Sequence, residues 1–339
     1  MDKGKVILSG SQGFIGSHLC ADLLANGYKV IGFDNFSKYG KLGRPHDNHP
    51  NFKLFEEDIT KWNPEETHPD WEGAEHFIIC AAKIGGISYF HKYAYDLIAT
   101  NERILANSFD RAIHLFKNYN LKKVTVLSSS MVYENTSVYP TPEGQEKIAP
   151  PPSSTYGFQK LSSEYFAQGA WEQYGLPFTV VRPFNCIGKN EDDAIQDSEI
   201  TSGNIKLMLS HVVPDIINKI LKGQDPLRLL GEGDQIRCYT NGKDIARGVR
   251  LSMESPEALN NDFNISTARA TTVKELAETI WKKINPDKPF NYVSDKPFDY
   301  DVQKRVPDVE KAKRLLGFEA EISLEDSIDE VIEYFKNEC

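Results

Sequence analysis

Short apolar runs alternate with helical repeats through the first 185 residues. VIL (6–8), KVIGF (29–33), HFIICAA (76–82), VTVL (124–127) and FTVV (178–181) are β-branched or apolar throughout. That is the pattern of strands buried on both faces. FKLFEED, starting at Phe52, is strand-like too. Between these runs, Ile15, Leu19, Leu23 and Leu24 recur at helical spacing up to Gly27, and Leu105, Phe109, Ala112, Ile113 and Phe116 do so again. Strand–helix alternation predicts an α/β fold, a doubly wound parallel sheet with right-handed crossovers. Beyond residue 185 the pattern loosens. Residues 189–205 (KNEDDAIQDSEITSGNI) are acidic and polar and predict a mobile loop. Thr272 and Glu275 form a capping-box pair ahead of Leu276, Ala277, Ile280 and Ile284. Ser323 opens a last helix carrying Leu324, Ile328, Val331, Ile332 and Phe335. The proline-rich stretch 140–154 leads into another helix and predicts a wall or lid.

A chain of 339 residues suits one large α/β domain, or a large domain with a smaller appendage. The net charge of −10 argues against nucleic acid as a partner, because a phosphate backbone demands clustered cations. A small anionic ligand needs only a few well-placed arginines. The five cysteines, with no C-x-x-C pair, predict free thiols in a reducing compartment. No secretory core follows the N-terminus, and no stretch approaches the roughly 20 apolar residues of a membrane helix. A cytoplasmic protein with no membrane partner is the expectation.

VILSGSQGFIGSHL reads as strand, glycine turn, helix, with Gly10, Gly13 and Gly16 flanking Phe14 and Ile15. Backbone without Cβ lets a pyrophosphate approach the helix N-terminus. Asp34 ends the second strand, where a carboxylate accepts hydrogen bonds from both adenosine ribose hydroxyls and repels a 2′-phosphate. Asn35 follows it. NAD is therefore expected over NADP. Asp58 and Ile59 follow the strand-like FKLFEED and are candidates to flank the adenine. Further on, STYGFQK places Tyr156 and Lys160 at i, i+4, on one helix face. A phenol is a poor base near neutrality, and an ammonium on the same face, together with the positive nicotinamide of NAD, would lower its pKa.

The glycine trio, the acid after strand two, S-S-S-x-V-Y (128–133) and Y-x-x-x-K come in an order that resembles the extended short-chain dehydrogenase/reductase superfamily, in its nucleotide-sugar epimerase/dehydratase branch. VRPFNCIG (181–188), SHVVPDIINKIL (210–221), GEGDQIRCYT with KDIA (231–246) and RVPDVEKAKRLLGF (305–318) extend the likeness nearly end to end. The resemblance implies a Rossmann-type NAD-binding domain over 1–185 and a smaller, mainly nucleotide-sugar-binding α/β region over 186–339, parts of which, near 240–270, return to the first. It also implies roles. Tyr156 would remove a sugar hydroxyl proton. Lys160 would hold the nicotinamide ribose and tune Tyr156. Ser129, four residues before Tyr133, would bridge the same sugar oxygen. Ala81, Ala82 and Lys83 would lie beside the nicotinamide ribose. Arg237 and Arg305 would hold a diphosphate, and Asn185 would touch diphosphate or sugar. Asn101 and Arg182 would be structural.

Family members diverge at the two positions after the reactive hydroxyl. Dehydratases tend to place Asp-Glu there, sugar-acid decarboxylases a glutamate, and 3,5-epimerases of the GDP-fucose synthase type a cysteine at the second. This chain has Ser130 and Met131. A thioether transfers no proton, so the simplest reaction stops at carbon 4: oxidation to a ketone, then reduction from the other face. The expected activity is an NAD-dependent nucleotide-sugar 4-epimerase. A dehydratase, a 3,5-epimerase/reductase or a 4-dehydrogenase are alternatives in the family, and a non-catalytic NAD-binding or scaffold member of the family is an alternative of another class. AAKIGG (81–86) and His211 resemble the GDP-fucose synthase type, in which a residue at the place of His211 is a catalytic acid. Cys238 stands where many relatives have Asp, a change expected to alter the sugar pocket. Relatives are usually dimers, so a homodimer pairing the helices near 101–119 and 156–174 is expected.

Overall fold

The computed structural model describes residues 3–66, 68–84, 93–192, 200–202, 205–207, 211–296 and 302–338. Its centre is a seven-stranded sheet built from β1 (Lys5–Ser9), β2 (Lys29–Asp34), β3 (Phe52–Glu56), β4 (Ala74–Ile79), β5 (Lys123–Leu127), β6 (Phe178–Pro183) and β7 (Asn261–Ile265). The order across the sheet is β7-β6-β5-β4-β1-β2-β3, and every pair is parallel. The order reverses between β1 and β4, and a crevice opens at the carboxyl ends of the strands beside such a switch point.

The apolar runs end where the backbone finds other partners. HFIICAA continues past β4 in sequence, but the Cys80 and Ala81 N–H groups both donate to Ser9 Oγ at 3.1 Å, so the ladder stops at Ile79. Strand β7 reads NDFNI, with no long apolar run, because it lies at the sheet edge and pairs only with β6.

Helix α1 (Phe14–Ala25) packs on one sheet face with a later helix, here called α5 (Gly242–Glu254). Leu19, Leu23, Ile245, Val249 and Met253 meet Val6, Leu8, Ile78 and Phe263 there. The other face is covered by α2 (Ala94–Asn118) and α3 (Thr155–Tyr174). Leu105, Phe109, Ala112, Ala167 and Ala170 close on Ile7, Phe77, Ile79 and Val126. Helix α2 begins well before the apolar repeat that marks it, because its first turns, AYDLIATNE, carry few core positions.

A separate core forms around α4 (Val212–Leu221), α6 (Val273–Ile284) and α8 (Leu324–Glu338), the short α7 (Glu310–Leu316) lying between the last two in sequence. Ile216, Ile217, Ile220, Leu276, Ile280, Trp281, Ile328 and Phe335 fill it. The capping box of α6 is present in full. Two short strands, Leu227–Leu230 and Tyr292–Asp295, pair in parallel beside it. Within the stretch expected as a loop, Ile200–Ser202 and Ile205–Leu207 pair antiparallel, while 193–199 and 203–204 lie outside the described residues.

Arg182 is buried and structural. It bonds Glu164 twice, at 2.8 and 2.6 Å, Asp262 at 2.6 Å and the Tyr133 hydroxyl at 2.7 Å, with Glu146 at 3.2 Å. This knot ties α3, β7 and the proline-rich stretch to β6. No helix among the described residues is long and apolar enough to cross a membrane.

Candidate active site

A cavity of about 1140 Å³ runs over the carboxyl ends of the strands, from the glycine turn to α4. Gly10, Gly13, Phe14, Ile15 and Gly16 line its first part. Gly10 has φ +73°, and a Cβ there would lie 2.9 Å from Ala81 Cα. A Cβ on Gly16 would lie 1.8 Å from Gly10 O. At these two positions the turn is packed to backbone contact and admits no side chain. Gly13 occupies the cap position of α1 with no side-chain cap, and the first helical turn carries no acid. Its open N–H groups and positive helix end therefore face the cavity, a cradle suited to a pyrophosphate.

Asp34 lines the same region, its carboxylate accepting from the N–H groups of Gln12 at 2.9 Å and Phe36 at 2.8 Å. Burial pushes its pKa up despite these bonds. Asn35, Asp58 and Ile59 also line it. Asp58 is partly spent on its own turn, accepting from the Thr60 N–H and hydroxyl. Ala81, Ala82 and Lys83 follow, and Asn101 pins both backbone polar groups of Lys83, at 2.6 and 2.9 Å. Of AAKIGG, Gly85 and Gly86 lie outside the described residues. The glycine cradle, the open helix end and the carboxylate of Asp34 fit NAD.

The middle of the cavity is formed by Ser128, Ser129, Ser130, Met131, Glu134, Tyr156 and Lys160. Ser129 Oγ accepts from the Met131 N–H at 3.2 Å and is hydrogen-bonded to Tyr156. Ser128 points instead to Glu164, at 2.5 Å. Met131 packs against Tyr156 and Leu97 as a plain apolar wall. One expectation is corrected here. Burial pushes the Tyr156 phenol up, and the contributions that lower it are the Ser129 hydrogen bond and the Arg305 charge. Lys160 lies 6.0 Å from the ring centroid and donates to Leu127 O at 2.9 Å, so its ammonium is engaged elsewhere. Burial brings Lys160 itself down to about 8.

The far end is lined by Asn185, His211, Asp215, Lys219, Arg237 and Arg305. Asn185 takes φ +31°, and its buried Nδ2 has no hydrogen-bond partner within the described protein. Arg237 is buried and donates to Ile236 O at 2.9 Å. His211 precedes α4, and its Nδ1 contacts the buried Glu191 carboxylate. Cys238 does not line the cavity; it is buried, its thiol pushed up to about 12, while its neighbours Arg237 and Tyr239 face the ligand space. The expectation that it alters the sugar pocket directly is not supported by its placement.

Several lining groups were missed in the sequence, Asp215, Lys219 and Glu134 among them. Asp215 and Lys219 pair at 2.8 Å, and their i, i+4 spacing was the available signal. Glu134 sits directly after the S-x-V-Y motif, but nothing in its spacing marks it.

The sequence pattern of the NAD dependent epimerase/dehydratase family matches residues 6–266. Over 333 residues the chain is 26% identical to a putative UDP-glucose 4-epimerase of Methanocaldococcus jannaschii, covering 98% of each. It is 27% identical to a UDP-N-acetyl-alpha-D-glucosaminuronate decarboxylase of Bacillus cytotoxicus, again over 98% of each. The crystal structure of UDP-glucose 4-epimerase from Thermotoga maritima with UDP-glucose superposes with a TM-score of 0.80 at 29% identity, covering 98% of this chain and 99% of that one. The chain belongs to the NAD-dependent epimerase/dehydratase family and is an NAD-using enzyme of it.

Proposed function

We propose that the chain is a nucleotide-sugar 4-epimerase acting on a UDP-sugar, as the names of its relatives suggest. The observation that carries this reading is the Ser129–Tyr156 hydrogen bond inside the cavity, flanked by Ser130 and Met131. That pair handles a proton on a sugar hydroxyl. Neither flanking residue can take one from carbon.

Bound NAD would supply the hydride acceptor and donor at carbon 4. Gly10, Gly13, Phe14, Ile15 and Gly16 would cradle its pyrophosphate, Asp34 and Asn35 its adenosine ribose, Asp58 and Ile59 its adenine, and Ala81, Ala82, Lys83 and Lys160 its nicotinamide ribose. Tyr156 takes the proton from the 4-hydroxyl and returns it to the ketone oxygen, while Ser129 holds that oxygen. Arg237, Arg305 and Asn185 hold the diphosphate, about which the keto sugar turns before it is reduced from its other face.

A second reading has its own observation. His211 lines the cavity in contact with Glu191, a pair able to move a proton at a neighbouring carbon, as a 3,5-epimerase requires. Incubation with UDP-, GDP-, dTDP- and CDP-sugars, followed by product NMR, separates the two. The 4-epimerase reading expects one sugar to equilibrate with its 4-epimer without added NAD, and no turnover in Tyr156→Phe. A stable keto product, released CO₂ or accumulating reduced nicotinamide rejects it.

We also propose a homodimer through α2 and α3, on which Tyr95, Phe158 and Tyr165 stand 75%, 50% and 65% exposed. Light scattering on Tyr165→Lys should show monomer where the parent shows dimer.

A further inference from the structure

Ser129 and Tyr156 lie on different elements, and one side chain joins those elements. Ser130–Tyr133 form a single 3₁₀ turn capped by Ser129. Glu134 ends the turn, its N–H donating to Met131 O at 3.2 Å. Its Oε2 accepts from both the N–H of Ser154, at 3.0 Å, and the Ser154 hydroxyl, at 2.8 Å. Ser154 is the cap of α3, and its Oγ accepts from the Gly157 N–H at 3.0 Å. Glu134, Ser154 and Gly157 therefore form a continuous chain of hydrogen bonds alongside Tyr156. The packing behind it has no slack. A Cβ on Gly157 would lie 2.8 Å from Met131 O, 2.9 Å from Glu134 Oε2 and 2.7 Å from Pro152 Cβ. The side chain lines the cavity, and its Oε2 is engaged by the helix cap.

We propose that Glu134 is a positioning residue: its carboxylate locks the turn that carries Ser129 to the first turn of the helix that carries Tyr156, and so sets the distance between the two hydroxyls. The proposal rests on reading Ser129 and Tyr156 as the proton-handling pair. Hydrogen bonds to an ionised carboxylate are short and strong, which suits a clamp. A misplacement of about 1 Å at reacting groups costs on the order of a hundredfold in rate, so a small slip of turn against helix would register in kcat.

The test uses the NAD-loaded enzyme and the variants Glu134→Ala, Glu134→Gln, Ser129→Ala and Glu134→Ala/Ser129→Ala. Glu134→Ala should lose at least about tenfold in kcat, with KM within about twofold. Glu134→Gln should recover to within about threefold of the parent, because its amide oxygen accepts the same two bonds. The double variant should be no slower than Ser129→Ala, within about twofold, since both changes break one interaction. A second readout needs no sugar. The phenolate absorbance of Tyr156, taken as each protein minus its Tyr156→Phe counterpart, should titrate at higher pH in Glu134→Ala than in Glu134→Gln, two variants that remove the same carboxylate charge. The cations that line the cavity with Tyr156, among them Lys83, Lys160, Arg237 and Arg305, are unchanged in every variant. That titration decides the positioning claim even if no nucleotide-sugar is turned over, an outcome that would reject the proposed function alone. The clamp is overturned by Glu134→Ala and Glu134→Gln titrating together, by a rise in KM at intact kcat (which would put the carboxylate on the sugar), by Glu134→Gln falling as far as Glu134→Ala, or by additive losses in the double variant.

Discussion

Asp34 shows how much one side chain carries here. Its carboxylate holds the Gln12 and Phe36 N–H groups and, in the proposed reading, faces the adenosine ribose. Asp34→Ser should narrow the preference for NAD over NADP by removing the charge that repels a 2′-phosphate, and should also lower Tm by releasing two backbone donors. Cofactor titration of the stripped protein, with both dinucleotides, reads the first effect. Arg305 is a second case. Its charge lowers the Tyr156 pKa against the effect of burial. Removing it raises that pKa, so less phenolate is present at a given pH. The acid limb of the kcat profile in Arg305→Met should therefore move to higher pH, beyond any rise in KM; a limb that stays put would remove Arg305 from the tuning of the base. The residues legible in the sequence were those in contiguous motifs: the glycine turn, Ser129, Tyr156 and Lys160. Glu134 became visible only with distances, because its partner sits on another segment, and the i, i+4 spacing of Asp215 and Lys219 is a signal shared by any solvated helix face.

At the scale of elements, the junction of β1 and α1 is the least tolerant. A Cβ on Gly16 would overlap Gly10 O at 1.8 Å, a backbone atom that cannot rotate away. Gly16→Ala should give protein that retains no NAD on purification, or that fails to fold; full retention of cofactor would contradict the packing of the turn. Central strands were legible because burial on both faces demands unbroken apolar runs, as in KVTVL of β5. Edge strand β7, with Asn261, Asp262 and Asn264, was not, since it pairs on one side only. The end of β4 was overestimated because the side-chain hydroxyl of Ser9, not the apolar pattern, decides where that ladder stops.

At the scale of the whole molecule, three histidines among the described residues are held neutral by burial. His18, His46 and His76 each fall to about 4. Their folded pKa lies below the unfolded value of about 6.5, so between pH 6.5 and 4 the unfolded chain binds more protons. The stability they contribute is whole above 6.5 and is lost as pH falls through that window. Buried carboxylates such as Asp22, Asp215 and Glu143 are shifted up and act in the opposite direction. Urea midpoints taken across this range should fall toward pH 4, and His76→Gln should make the fall shallower by about one proton. An unchanged slope would show that His76 is not buried neutral. The same scale holds the main claim, that the cavity confines chemistry to carbon 4. The direct test is turnover of the accepted nucleotide-sugar in D₂O, read by NMR of the product. The account predicts the 4-epimer with no solvent deuterium at any carbon, because hydride leaves and returns within the site and only the 4-hydroxyl proton passes through Tyr156. Deuterium at carbon 3 or carbon 5 would contradict it and would make His211 and Glu191 a second proton-transfer pair.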